Sequence, residues 1–485
     1  MAAVEEKTGR FDLSDIRQYG KVKKGYTQFA NGDLLFAKIT PCMENGKVVL
    51  VGNLVNGIGC GSTEFHVSRP IDLVNRKYLF FYFVQEEFRR DAQRNMTGSA
   101  GQLRVPKSFF AEARIPFPPL AEQQRIVDKI EELFSDLDSG IDSLKKAKQQ
   151  LKVYRQAVLK WAFEGKLTAQ WREEQQRQGK LESADTLLAK IKAEREQRYQ
   201  KELEVWQAEV EAWDAIGKEG KKPRKPSQVK VPEPLSKTEI GSLWSIPKNW
   251  RWGKLGEFFR VYVGSTPSRK REDYWNGDIP WVSSGEVSFC RIQKTEETIT
   301  LEGLLNSSTE KHPPGTIMLG MIGEGKTRGQ SAILDIAAAH NQNTAAIRVS
   351  ETECIPKILF YYFYFQYQRT REIGSGNNQK ALNKSRVEGI AYPLMPGEEQ
   401  HEILAEIESR LSICDQIEAD IETNLKKAEA LRQSILKQAF EGKLVPQDPN
   451  DEPASVLLER IRAEREAEKK NGDSKIRDKP EKEKP

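Results

Sequence analysis

Residues Gly320–Thr327 read GMIGEGKT and fit the spacing GxxxxGK(S/T). In phosphate-binding loops that spacing lets backbone amides cradle phosphates while the lysine reaches the terminal ones. Such a loop must follow a strand and open a helix whose N-terminal amides face the phosphates. Here "TIML" reads as the strand, but Arg328, Gly329 and Gln330 follow, and "SAILDI" reads as another strand. The glycines are therefore predicted to turn a hairpin, and no ATP binding is expected. Two further Glu-Gly-Lys runs, at Glu164 and Glu441, resemble fragments of nuclease sites. Those sites need a metal-binding acid on a neighbouring strand, whereas these runs close helices and read as caps. There is no Asn/Asp-Pro-Pro-aromatic motif for base methylation. The four histidines are dispersed and the five cysteines lack CxxC spacing. No catalytic residue and no metal site is assigned, and the chain is expected to be non-enzymatic.

The elements that carry these residues follow from bulk and repeat. At 485 residues the chain has room for several domains, with net charge +5 and 38% hydrophobic residues. No apolar run reaches the roughly 20 residues of a membrane helix, and the N-terminus has no secretion signal. The scattered cysteines suit reduced thiols in a cytoplasmic protein.

An internal repeat organises the rest. "LAEQQRIVDKIEELFSDLD" from Leu120 is echoed by "GEEQHEILAEIESRLSICD" from Gly397, and "YRQAVLKWAFEGKL" from Tyr154 by "LRQSILKQAFEGKL" from Leu431. The offset stays at 277 residues, from Glu122 to Glu399 and from Gly165 to Gly442. An ungapped register is what a helix requires, because one inserted residue rotates all later side chains by about 100°. Ile130, Leu137, Leu144, Leu151 and Val158 recur every seven residues, with Ile126, Leu133, Ala147 and Tyr154 as companions. Ile407, Cys414, Ile421, Ala428 and Ile435, joined by Ile403, Ile417 and Leu431, form the second seam. Two long helices pairing as a coiled coil are predicted. Prolines precede both, and Gly165 and Gly442 sit where left-handed C-terminal caps belong. Before each helix lies an aromatic run, "KYLFFYF" from Lys77 and "KILFYYF" from Lys357, apolar on all sides and so predicted as buried helix. "ARIPFPP" and "IAYPLMP" are predicted last strands. "ADTLLAKIKAERE" and "ASVLLERIRAERE" follow the long helices.

With these pieces assembled, the chain resembles the DNA-specificity subunit of type I restriction–modification enzymes over nearly its whole length. The resemblance rests on "IPKNWRWGKLGEF" from Ile246, on "GSTPSRKREDYWNGDIPWVSSGEV" from Gly264 with its glycine-threonine-proline turn, on "GSAGQ" followed by "IPFPPLAEQQRIV", and on "AFEGKL". It implies an α+β fold in which two target-recognition domains are separated by two long helices pairing as an antiparallel coiled coil. Residues 1–118 would form the first domain, 119–167 the first helix, 168–243 a charged linker, 244–395 the second domain, 396–445 the second helix and 446–485 a charged, largely disordered tail. It further implies that each domain reads half of a split double-stranded DNA target and that adenine-N6 methyltransferase and motor–nuclease subunits join the complex. S-adenosylmethionine, ATP and magnesium would sit on those partners, with no cofactor on this chain. Aligning Gly32 with Gly315 leaves only 31 residues before Gly32. The opening turn and Trp strand have no counterpart there, so an internal start at Met1 or a remnant gene is expected.

Basic and amide side chains in turns are the candidate DNA contacts, arginine suiting guanine and Asn/Gln suiting adenine. In the second domain these are Arg269, Lys270, Arg271, Lys326, Arg328, Asn377, Asn378, Gln379 and Lys380. In the first they are Lys21, Lys23, Lys24, Lys38, Gln102 and Arg104. Arg328→Ala is expected to weaken DNA binding by the assembled complex. The alternative reading is a coiled-coil interaction protein, or a remnant specificity subunit with impaired DNA reading.

Overall fold

The computed structural model describes residues 1–99, 101–220, 222–323, 325–372 and 381–477. It divides into two compact units, Met1–Lys148 with Ala419–Pro485, and Gln149–Glu418. The long helices run over Leu120–Phe163 and Gly397–Phe440, each 44 residues. In the first unit Ile126, Val127 and Ile130 share a core with Ile435, Leu436 and Ala439. Lys148 reaches Glu422 at 2.7 Å, and Arg432 pairs with Asp138. In the second unit Leu159, Ala162 and Phe163 share a core with Ile403 and Ile407, and Arg155 meets Asp415 at 2.7 Å and Glu418 at 3.1 Å. In each unit the start of one helix therefore lies antiparallel to the end of the other. The seam is narrower than expected, because its companion positions Tyr154, Ile417 and Leu431 remain 39%, 43% and 49% exposed. Two helices meeting alone bury one stripe each and leave the flanking stripe in solvent. Gly165 (φ 71°) and Gly442 (φ 69°) close the helices in the left-handed region. The next amides, of Lys166 and Lys443, bond back to Trp161 and Gln438 at 2.8 Å.

The first unit has a ribbon of β1 (Thr27–Ala30) with β4 (Ile58–Gly61). It also has a sheet in which β2 (Leu34–Ala37) lies between β3 (Val48–Leu50) and β5 (Phe65–Ser68). The second unit opens with β6 (Arg251–Lys254) and β7 (Arg260–Val263). It continues with β8 (Trp275–Val282), β9 (Cys290–Ile292), β10 (Glu297–Ile299), β11 (Ile317–Gly320) and β12 (Ser331–Leu334), then β13 (Ala339–His340), β14 (Thr344–Arg348) and β15 (Ala391–Leu394). Its main sheet has the order β7-β14-β11-β12-β9, β8 is flanked by β10 and β13, and β6 pairs with β15. The order β3-β2-β5 thus repeats β12-β11-β14, all antiparallel.

The repeat persists in single hydrogen bonds. Buried Gln123 accepts from the Asn75 amide at 3.0 Å and donates to the Pro118 carbonyl at 2.9 Å. Gln400 does the same between Ile355 and Met395, both at 2.9 Å. Tyr82 donates to the Arg114 carbonyl at 2.7 Å and Tyr362 to that of Ala391 at 2.5 Å. The aromatic runs are the buried helices predicted, Arg76–Val84 and Pro356–Phe365.

Three expectations change. Residues 113–119 form no strand, although their counterpart is β15. A strand needs a ladder partner, and β6 supplies it only in the second unit. The segment read as a charged linker contains helices Ala169–Arg177 and Ala184–Ala215, and Ala184, Leu187, Leu188 and Ile191 enter the second unit's core. A short apolar stripe at three-to-four spacing was hidden in a charged composition. Among the described residues its proline-rich part has no regular structure, yet Trp206 donates to the Pro223 carbonyl at 3.1 Å, so it lies against that helix. The tail holds helix Ala454–Arg477, with Leu457 and Ile461 buried by the same kind of stripe. Among the described residues no helix is long and apolar enough to cross a membrane.

Candidate nucleic-acid interface

The chain leaves β7 and β11, and enters β14 and β12, at one end of the second unit's main sheet, because β11 is antiparallel to β12 and β14, and β14 to β7. Three turns gather there, over residues 264–271, 321–330 (of which 324 is outside the described residues) and 341–343. The Ser265 amide bonds to the His340 carbonyl at 3.1 Å, and the Met321 amide to that of Asn343 at 2.9 Å. Thr266 donates its hydroxyl to the Gln342 side chain at 2.6 Å. A Cβ at Gly264 would lie 2.0 Å from the His340 carbonyl oxygen, so only glycine admits this approach.

Two tryptophans on β8 fix the first turn. Trp281 donates to the Ser265 carbonyl at 3.2 Å and Trp275 to that of Ser268 at 3.3 Å. The Arg269 guanidinium lies 3.7 Å over the Trp275 ring and donates to Glu297 on β10 at 2.8 Å. The Arg269 hydrogen bond holds the Glu297 carboxyl below its ordinary value, against the opposing effect of burial. Arg271 bonds to Asp273 at 2.8 and 2.5 Å and covers the Tyr274 ring at 4.7 Å. Lys270 between them is exposed. The arginines are thus pre-oriented by stacking and carboxylates, with part of each fork facing outward. Pre-organisation of this kind lowers the ordering cost of binding.

Residues 321–330 form the connection of an antiparallel hairpin, β11 to β12, so a second strand follows where a nucleotide loop would start a helix. Lys326 is exposed at its tip, and its carbonyl accepts from the Tyr367 hydroxyl at 2.6 Å. Arg328, in the same turn, is only 7% exposed. Loss of Arg328 would act through packing of the turn. Asn377, Asn378, Gln379 and Lys380 lie outside the described residues. The chain re-enters beside the same turns, where the Leu382 amide bonds to the Met321 carbonyl at 3.0 Å.

The first unit repeats this end. Lys38 follows β2 as Met321 follows β11, and the Val105 amide bonds to its carbonyl at 2.8 Å. Arg104 grips Glu64 at 2.9 and 3.0 Å, and that hydrogen bond lowers the Glu64 carboxyl. Gln102 is exposed next to them. Lys21, Lys23 and Lys24 are exposed just before β1, at the ribbon end from which β4 leads to Glu64. Sequence reasoning missed Gln342, exposed between Asn341 and Asn343. Its signal was the amide-rich turn after an apolar run. Arg269→Ala and Gln342→Ala are each expected to weaken DNA binding by the assembled complex about ten- to hundredfold and to relax preference at one base pair. Binding titrations on single-base target variants measure both effects.

Among the described residues no group of three or more His, Cys, Asp or Glu side chains is placed to hold a metal ion. The sequence pattern of the type I restriction modification DNA specificity domain family matches residues 8–153 and 247–427. The Escherichia coli type I restriction enzyme EcoAI specificity subunit is 28% identical, over 88% of this chain and 76% of its own. The EcoEI specificity subunit of Escherichia coli is 27% identical over the same shares. In fold, the chain is similar to the HsdS subunit of Thermoanaerobacter tengcongensis, with TM-score 0.52, 18% identity, and 91% and 89% of the two chains covered. It is also similar to a chain from a structural study of assembly and conformational transition of the type I R-M system, with TM-score 0.61, 17% identity, and 91% and 90% covered. Repeated sheets, paired long helices and a profile match over most of the chain converge: the protein belongs to the type I restriction–modification DNA-specificity family, as a sequence-recognition subunit with a non-catalytic role.

Proposed function

We propose that each unit reads one half of a bipartite double-stranded DNA target through the turns at the shared end of its sheet. The observation that carries this reading is the repeat of that end, with Lys38, Gln102 and Arg104 in one unit and Arg269, Lys270, Lys326 and Gln342 in the other. Phosphate contacts from the lysines would set position, and the arginine forks and amides would read base edges. The partners proposed are adenine-N6 methyltransferase subunits, joined by motor–nuclease subunits in a full restriction complex in the cytoplasm. Apolar side chains left exposed on the long helices, Val153, Ile413 and Leu431, support such docking. S-adenosylmethionine, ATP and magnesium are assigned to those partners.

The test is methylated-adenine mapping by long-read sequencing, in a methylation-free host making this chain with an adenine-N6 methyltransferase subunit of a type I system. A split motif with a fixed gap is expected. Methylation specified by one half only, or none, would overturn two-sided reading and favour the interaction-protein alternative.

A further inference from the structure

Helix Ala184–Ala215 carries Lys192, Arg195, Arg198, Tyr199 and Glu202 three to four residues apart, so they share one face. The apolar stripe of this helix ends at Ile191, and from there its contacts with the second unit's sheet are charged. Arg198 donates to the Glu351 carboxylate and carbonyl, both at 2.9 Å. Glu202 accepts from Arg260, which opens β7, at 3.0 Å. Arg195 differs from both neighbouring arginines. It donates to the Glu257 carbonyl at 3.0 Å, and among the described residues no carboxylate pairs with it. Burial, then the nearby Arg260 and Arg198, push its guanidinium below the ordinary value, with Glu351 opposing them.

Arg195 lines a cleft of about 340 Å³. Lys192 and Tyr199 extend its helix wall, and Arg260 and the segment Gln228–Val231 close the other sides. Lys192 is exposed and has no ion pair among the described residues. Two acids also line the cleft, but Glu202 is engaged by Arg260, and Glu196 accepts from Gln200 at 2.7 Å. Two cations without carboxylate partners therefore face a cavity in the size range of small-molecule sites. The same Ala-Glu-Arg-Glu run recurs at residues 463–466, where Arg465 is exposed, so the burial of Arg195 belongs to this cleft and not to the run. Because Arg260 opens β7, the cleft lies at the end of the sheet away from the turns proposed to read DNA.

We propose that this cleft binds a small phosphate-bearing molecule through Arg195 and Lys192. A guanidinium fork matches two phosphate oxygens with parallel hydrogen bonds, and an ammonium adds a point charge. A phosphate monoester carries about −1.5 to −2 charges at pH 7 and so balances two cations, where a carboxylate balances one. Tyr199, Val229 and Val231 leave an apolar wall for an organic part, so a monoester is expected to bind more tightly than free phosphate. Bound there, it ties Gln228–Val231 to the helix.

The test is isothermal titration calorimetry of the full chain with adenosine monophosphate, inorganic phosphate and adenosine. Saturable one-to-one binding of the monophosphate is expected, and none of adenosine. Equal affinity for the monophosphate and for inorganic phosphate would make free phosphate the ligand of the same two cations. Arg195→Gln is expected to weaken binding about tenfold or more, as loss of hydrogen bonds between charged groups predicts. Lys192→Ala changes an exposed side chain, leaves folding untouched and should weaken binding severalfold. Trypsin cleavage after Lys230 should slow when the monophosphate is bound. Absence of saturable binding by either phosphate would overturn the proposal, as would adenosine binding as tightly as its monophosphate. Unchanged affinity of the folded Arg195→Gln chain or of the Lys192→Ala chain, or unchanged cleavage, would place the ligand elsewhere and overturn it too.

Discussion

Replacing Glu399 by alanine is expected to destabilise the second unit by about 3–5 kcal/mol, the usual cost of leaving one member of a buried charge pair without the other. Its carboxylate accepts from Thr168 at 2.8 Å, Arg172 at 2.5 Å, Asn249 at 2.9 Å and Trp250 at 2.7 Å. It is fully buried, and the Arg172 side chain is nearly so. Without the acid, a guanidinium and an indole N–H lose their acceptor inside the protein. Glu399→Gln should fall between, since one carbonyl oxygen remains. Guanidinium denaturation followed by tryptophan fluorescence measures this, analysed as two transitions because two compact units need not unfold together. The matching change Glu122→Ala breaks no hydrogen bond and is expected to cost less than about 1 kcal/mol. Equal losses at the two positions would sink the account of Glu399 as a four-way acceptor.

The second unit is also expected to lose stability as pH falls from about 6.5 towards 4, before most carboxylates titrate. Burial holds His340 down at about 4. Burial, then the neighbouring His340 and Arg348, hold His312 down at about 2. Their rings lie 4.9 Å apart. His312 Nδ1 accepts from Arg348 at 3.0 Å, and His340 Nδ1 shares a hydrogen bond with Thr344 at 2.8 Å. Both are neutral in the fold and protonate near the ordinary 6.5 once unfolded. Below that pH the unfolded chain binds more protons, so stability present above 6.5 is lost as pH falls towards the folded values. The slope is about 1.4 kcal/mol per pH unit for each histidine. The first unit holds one such histidine, His66, lowered chiefly by burial, so its slope should be shallower. Denaturation midpoints between about pH 7 and pH 4.5 check this, and His340→Gln should flatten the second unit's slope.

What could be read in advance was what repeats in register. The long helices announced themselves because a helix tolerates no gap, and the aromatic helices because residues such as Tyr362 and Phe363 leave no polar side. The hairpin at Gly320 was legible because a strand pattern resumed after it. Properties set by distant partners were not legible. Whether Arg328 faces solvent depends on what packs over its turn, and nothing near it in sequence says so. Residues 113–119 have the composition of β15 but not its partner. Arg269 was visible as a basic turn residue. Its stacking on Trp275 and pairing with Glu297 required β8 and β10 to converge on it. Gln342 became a candidate only when the sheet brought its turn to Thr266.

The first unit is discontinuous, joining Met1–Lys148 to Ala419–Pro485, while the second is one uninterrupted stretch. A ribosome makes the chain from the N-terminus, and domains ordinarily fold in that order. Here the order is inverted. The second unit has all its residues once Glu418 has emerged, whereas Ile126 and Ile130 must wait for Ile435 and Leu436 to close their core. For most of synthesis the earliest-made segment is an unfinished half with its apolar helix face uncovered. It is therefore the nascent first unit, and not the longer second one, whose yield should depend on chaperones and on the speed of translation.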